Sequence, residues 1–230
     1  MSPAPRRFEL IVFDWDGTLY DSTALIVQAL RAACADVGQP VPSPEAASHV
    51  IGLGLHEALR QVAPGLPAAQ IPELVAAYRV HYLAQQHGLS LFPGTIDMLD
   101  GLRARGHRLA IATGKSRRGL DEVLALPPGQ GAPADRRLGH YFEASRTADE
   151  TQSKPHPRML LELIEHCGVR AEHTLMVGDT SHDLQLAANA GTAALAVGYG
   201  AHPPEQLRAL SPLAVLPTMQ ALSQWLREQA

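Results

Sequence analysis

Cysteine is nearly absent: the chain has two in 230 residues, Cys34 and Cys167. They lie far apart and show no CxxC spacing, which excludes a disulfide framework or a cysteine cage for a metal. Each falls in a helix-like segment, where a thiol is a small apolar filler. A basic excess is also missing. Nineteen Lys and Arg face 23 Asp and Glu, for a net charge of −4, so no positive field is available to wrap nucleic acid. No apolar run reaches the roughly 18 residues that a membrane span needs. Arg6 and Arg7 near the start are followed by no apolar leader and no cleavage site. The eleven histidines never take an HExxH-type spacing. Neither an internal repeat nor a low-complexity tail is present. These absences predict a soluble cytoplasmic protein with no nucleic-acid or membrane partner.

Hydrophobic residues make up 46% of the chain and charged residues 18%, which suits a globular protein with a sizeable core. Leu10–Phe13 is a continuous apolar run, as in a strand buried on both faces. Leu25, Ile26, Ala29, Leu30, Ala33 and Val37 then recur at helical spacing, with Gly38 as a stop. Pro40–Pro44 reads as a loop and Leu55–Val62 as a helix. Ile71, Leu74, Val75, Tyr78 and Tyr82 mark another helix that ends at Gly88. No strand pattern occurs between Asp21 and Ser90, so residues 21–90 form an all-helical insertion. Beyond it, strands are predicted at Arg108–Thr113, Tyr141–Ser145, Thr174–Val177 and Ala193–Val197. Helices are predicted at Thr95–Arg105, from after Ser116 to about Leu126, from Pro155 to Gly168 and at His182–Ala190. Pro127–Pro133 reads as a loop. This alternation predicts an α/β fold with a Rossmann-like parallel sheet and right-handed crossovers. Residues 1–20 and 91–230 make that core domain.

In an open α/β sheet, ligands bind outside the carboxyl ends of the strands. The polar residues there are Asp14 and Asp16, Thr113, and Asp179 after Gly178, with Lys154 at the start of a helix. Buried carboxylates need a partner or a cation. Asp14 and Asp16 share a face if the chain stays near-extended, so both can address one ligand.

Four segments in this order resemble the haloacid dehalogenase superfamily of phosphohydrolases. They are Asp14-Trp15-Asp16-Gly17-Thr18, then Thr113 closing Ile111-Ala112-Thr113-Gly114, then Lys154 in Ser153-Lys154-Pro155, and Gly178-Asp179-Thr180-Ser181-His182-Asp183. The helical insertion matches that family's C1 cap, and Phe92-Pro93-Gly94 resembles its phosphoglycolate phosphatase branch. The resemblance implies a Mg²⁺-dependent phosphatase that hydrolyses a small phosphomonoester through an aspartyl-phosphate. It assigns Asp14 as nucleophile and Asp16 as the acid and base. Thr113 and Lys154 bind the phosphoryl group, and a cap closes over the site. Mg²⁺ is assigned to the Asp14 carboxylate, the Asp16 main-chain carbonyl and the Asp179 carboxylate, with Asp183 behind them orienting Lys154 or a water.

Specificity is harder to place. Gly114 and Lys115, which follow Thr113, are candidate substrate-binding residues, Lys115 for a substrate's distal anion. Arg79, on a predicted cap helix, is a candidate reader of a carboxylate, whereas Tyr78 and Tyr82 read as packing. Gly52-Leu53-Gly54-Leu55 is a candidate cap loop near the site. Thr-Gly-Lys departs from the Thr-Asn-Lys of typical phosphoglycolate phosphatases. The expected partner is a small phosphorylated metabolite, and the expected state a monomer or homodimer. A phosphomutase of the same superfamily is the first rival reading, and a non-catalytic binding protein on this scaffold is the second. The absence of any lysine from residues 21–90 argues against phosphonate cleavage through a cap lysine.

Overall fold

A computed structural model of the protein describes residues 7–128 and 135–230. The first strand, β1 (Leu10–Phe13), shows why the fold has three layers. Alternate residues of a strand point to opposite faces, and all four here are buried. Ile11 and Phe13 join a cluster with Leu99, Leu102, Leu222 and Leu226. Leu10 and Val12 join another with Met159, Leu160, Leu163 and Leu186. The helices that cover the sheet are α5 (Thr95–Ala104), α6 (Arg117–Leu124) and α10 (Met219–Gln229) on the first side. On the second lie α7 (Arg158–Cys167) and α8 (Ser181–Ala190).

Among the described residues the sheet has six parallel strands in the order β3-β2-β1-β4-β5-β6. They are β2 (Arg108–Thr113), β3 (Ala144–Thr147), β4 (Thr174–Gly178), β5 (Ala193–Val197) and β6 (Val215–Leu216). Phe13 pairs with Ile111 on one side and Val177 on the other. Asp14 therefore leaves β1 between the ends of β2 and β4, where chain order reverses across the sheet and ligands bind in such folds.

Between β1 and α5 the chain forms α1 (Thr23–Asp36), α2 (Pro44–His49), α3 (Leu55–Val62) and α4 (Ile71–Gln85). These four helices have a cluster of their own, built on Leu30, Cys34, Val50, Leu59 and Leu74. No helix among the described residues is long and apolar enough to cross a membrane.

Several elements differ from the sequence expectation. Pro44 opens a helix instead of ending a loop: Ser43 accepts the Ala46 N–H at 3.1 Å and caps it, and six residues are too few to show a period. The third strand is Ala144–Thr147, not Tyr141–Ser145. Leu138–Tyr141 is a short 3-10 turn that buries Tyr141, and β3 is an edge strand whose polar side chains give little signal. Pro155 does not begin α7, which starts at Arg158 after Pro157. Its carbonyl instead accepts from Asn189 of α8, leaving Lys154 in a turn. The expected loop at Pro127–Pro133 lies largely outside the described residues. The region after β5 contributes α9 (Pro204–Arg208), β6 and α10, none of which the sequence reading placed.

Candidate active site

Asp14 is 1% exposed at the end of β1. Its Oδ1 accepts the Trp15 N–H at 2.7 Å and lies 2.9 Å from Lys154 Nζ. Its Oδ2 is buried and has no hydrogen-bond partner among the described residues. Three residues on, Gly17 takes a positive φ of 84°. A Cβ there would lie 2.2 Å from Asp179 Oδ2, so both the turn and the close approach require glycine.

Asp179, just past β4, is held from both sides. Thr18 Oγ donates to its Oδ1 and the Ala201 N–H to its Oδ2, each at 2.7 Å. Asp183 serves two purposes at once. Its Oδ2 accepts the Thr180 N–H at 3.0 Å and the Thr180 hydroxyl at 2.7 Å, forming the cap of α8. Its Oδ1 accepts from Lys154 at 2.6 Å. One oxygen from each of Asp14, Asp179 and Asp183 falls within 4.8 Å of the others.

Three buried carboxylates thus share one ammonium. Burial, then the neighbouring acids, drives the Asp14 carboxyl well above the usual carboxylate range, against the pull of Lys154. Burial and then Asp183 push Asp179 up to about 7. Burial works against the Lys154 charge, but Asp14 and Asp183 outweigh it and its pKa is raised. The cluster lacks positive charge, and it has one buried oxygen to spare. Both features suit a hard divalent cation, which takes carboxylate and carbonyl oxygens.

Asp16 is set apart from this cluster. Its Oδ1 accepts from Ser22 at 2.7 Å, and Lys115 Nζ lies 3.0 and 3.2 Å from its two oxygens. The Tyr82 hydroxyl on α4 lies 3.2 Å from the same Nζ, which also sits 5.1 Å over the Tyr82 ring. Burial is the largest single influence and disfavours the Lys115 charge, but Asp16 together with Tyr82 and Tyr78 outweighs it and the pKa rises. Lys115 and Lys154 are the only lysines in the chain, and each pairs with one acid of the Asp14–Asp16 motif.

Thr113 is buried at the end of β2, and its Oγ accepts the Lys115 N–H at 3.2 Å. Gly114 meets the helical unit: a Cβ there would lie 2.4 Å from the Leu53 carbonyl oxygen and 2.6 Å from that of Gly52. The segment Gly52–Gly54 therefore does approach the site, and its packing explains why the residue after Thr113 carries no side chain. Arg79, an expected site residue, is exposed on α4. Tyr82, read from the sequence as packing, is the α4 side chain that reaches Lys115. Ser22 and the Ala201 N–H also escaped the sequence reading, since a loop hydroxyl and a backbone donor leave no periodic mark.

A family model described as Haloacid dehalogenase-like hydrolase matches residues 11–197. "Probable phosphatase IndB" of Dickeya dadantii is 37% identical over 216 residues, covering 91% of this chain and 89% of that protein. A phosphoglycolate phosphatase of Aliivibrio fischeri is 35% identical over 201 residues, covering 84% and 85%. Among solved structures, a hydrolase from Pseudomonas syringae superposes with a TM-score of 0.83 over 96% of this chain and 99% of that one. At 21% identity, that likeness bears on the fold alone.

Proposed function

The chain belongs to the haloacid dehalogenase-like hydrolases, and from that premise we propose that it is a Mg²⁺-dependent phosphatase that cleaves a small phosphomonoester through a phosphoryl group carried on Asp14. It is a phosphoric monoester hydrolase of this family. The observation that carries the reaction scheme is the Asp14 carboxylate: one oxygen is fixed by the Trp15 N–H and Lys154, and the other is buried and free. A nucleophile needs this combination of fixed direction and an open lone pair.

In the first half of the reaction, Asp14 Oδ2 bonds to phosphorus as the bond from phosphorus to the alcohol oxygen breaks. Asp16 gives that oxygen its proton. In the second half, Asp16 takes a proton from water, whose oxygen attacks phosphorus and frees Asp14. Lys154, Thr113 and the N–H groups after β2 neutralise and orient the phosphoryl oxygens. The Asp14 and Asp179 carboxylates and the Asp16 main-chain carbonyl would hold Mg²⁺, with Asp183 orienting Lys154. Bound there, the cation supplies the charge that lets an anionic nucleophile meet an anionic ester.

Residues 21–90 act as the cap and exclude bulk water on closing. The leaving alcohol faces Asp16, Lys115 and Tyr82. Lys115 beside Gly114 gives that end of the site a cation, which suits an alcohol bearing its own anion, as in phosphoglycolate. The two free, buried thiols support a reducing cytoplasm. The test is release of inorganic phosphate from a panel of small phosphate esters with Mg²⁺ and no acceptor sugar, which separates hydrolysis from a mutase. Wild type should release phosphate, and Asp14→Asn should release at least roughly a thousandfold less. Equal rates would remove Asp14 from the mechanism.

A further inference from the structure

Three histidines meet at the seam between the α1–α4 unit and the sheet domain. His49 ends α2, His182 lies in the first turn of α8 and His202 follows β5. Ring centroids lie 4.9 Å apart for His49 and His202, 5.3 Å for His182 and His202, and 5.7 Å for His49 and His182. Two rings end on one acceptor: His182 Nε2 is 2.9 Å and His202 Nε2 3.1 Å from the His49 carbonyl oxygen. A carbonyl only accepts, so both nitrogens carry hydrogen. His202 Nδ1 then serves as acceptor for the Ser181 N–H at 3.0 Å. Two neighbouring contacts also cross the seam, with the helical unit as donor. Ser48 Oγ donates to the Ala201 carbonyl at 2.7 Å, and the Gly54 N–H to Ser153 Oγ at 2.9 Å.

The stretch that carries His202 has a second engagement. The Ala201 N–H donates to Asp179 Oδ2 at 2.7 Å, and the His202 N–H to the Asp179 carbonyl at 3.3 Å. A Cβ on Gly200 would lie 2.2 Å from Asp179 Oδ2. The Tyr199 hydroxyl donates to the Thr18 carbonyl at 2.9 Å. Residues 199–202 thus grip Asp179 and the strand-end loop on one side, and Ser48 and His49 of the helical unit on the other.

We propose that residues 199–202 couple cation binding at Asp179 to docking of residues 48–54 onto the core, with His182 and His202 as the positioning residues that transmit it. The coupling rests on the reading of Asp179 as a cation ligand. A cation on Asp179 favours one direction of that carboxylate, hence one placement of the Ala201 peptide, hence the contacts to Ser48 and His49. Linkage makes the effect reciprocal. If the cation favours the docked cap by some factor, loss of the docking contacts weakens cation binding by the same factor.

The test uses the full chain and Mg²⁺ alone. Amide hydrogen exchange of residues 48–54 is measured with and without Mg²⁺, and Mg²⁺ affinity is measured by calorimetry. In wild type, Mg²⁺ slows that exchange. The double variant His182→Ala/His202→Ala should lose the slowing and bind Mg²⁺ about 5- to 50-fold more weakly. His202→Gln keeps a side-chain N–H donor and should recover part of both. Ser48→Ala removes a half-buried hydroxyl and should give a smaller loss in both readouts, which keeps the test decisive if the double variant does not fold. Exchange indifferent to Mg²⁺, or wild-type Mg²⁺ affinity in variants whose cap segment has loosened, would overturn the coupling. Asp179→Asn separates the two ideas. Undiminished Mg²⁺ affinity in that variant sinks the ligand assignment itself. Lost affinity there, with wild-type affinity in the histidine variants, sinks only the coupling.

Discussion

The two lysines of this chain make a natural pair for comparison. Lys154 is wholly buried between Asp14 and Asp183, and both of these ion-pair partners belong to the sheet domain. Lys115 lies at the seam, where its side chain is 11% exposed and it touches Asp16 of the core and Tyr82 of α4. The inner lysine draws both of its ion-pair partners from the sheet domain. The outer pair is completed by the helical unit. The comparison suggests a division of labour in which the inner lysine serves the phosphoryl group and the outer lysine serves whatever alcohol is attached to it.

The largest effect that could break this comparison is loss of the inner lysine. Lys154→Ala leaves three buried carboxylates with no ammonium. Activity on any ester should fall by roughly a thousandfold or more, and unfolding without metal should shift by about 3 kcal/mol, the cost of breaking a buried pair. Chemical denaturation with and without Mg²⁺ checks the second part. The comparison fails if activity survives on aryl and alkyl esters alike.

Asp16→Asn comes next. It should slow alkyl phosphates by about a hundredfold or more, the range for a lost general acid. Aryl phosphates, whose leaving groups need no proton, should suffer far less in the first half-reaction. Burst kinetics resolve the two halves. Equal losses in the burst for both ester classes would mean that Asp16 does not protonate the leaving group.

Lys115→Met sharpens the contrast further. kcat/KM should drop about 10- to 100-fold for esters whose alcohol carries an anion, the scale of a charge-assisted contact. Esters of uncharged alcohols should change only a few-fold. Uniform losses would show that Lys115 acts through Asp16 alone and does not read the substrate.

The smallest effect concerns pH. Burial and then Asp183 raise the Asp179 carboxyl from 3.8 to about 7. The folded, cation-free protein therefore holds a proton there that the unfolded chain has released. Its contribution to stability is present at low pH and is lost as pH rises through about 7. A cation must displace that proton, so the rise in Tm on adding Mg²⁺ should be larger near pH 8 than near pH 6. Thermal melts at the two values check the sign, and a larger gain at the lower pH would contradict it.

Much of this was legible in the sequence for a definite reason. The limits of β1, β2 and β5 could be read residue by residue, because strands covered on both faces are apolar runs that end where the chain meets solvent or ligand. Asp14 and Asp179 stood out as charges at strand ends, and Lys154 as a charge at an expected helix start. The edge strand β3 did not, since three of its four side chains are polar, and Ser145 and Arg146 pair with Arg117 and Glu162. The seam was harder still. A helical period shows that Tyr78 and Tyr82 share a face of α4, but not that this face meets Lys115 while Arg79 faces outward. The hold on Asp179 by the Ala201 N–H, and that of two rings on the His49 carbonyl, use backbone atoms that every residue type possesses.

The central claim is that Asp14 takes the phosphoryl group. It is tested most directly by acid-quenching the enzyme during turnover with Mg²⁺ and mapping the phosphoryl group by peptide mass spectrometry. The account predicts a labile phosphoryl on the peptide containing Asp14, absent from Asp14→Asn. A phosphoryl group on another side chain, or full activity with none on the protein, would contradict it.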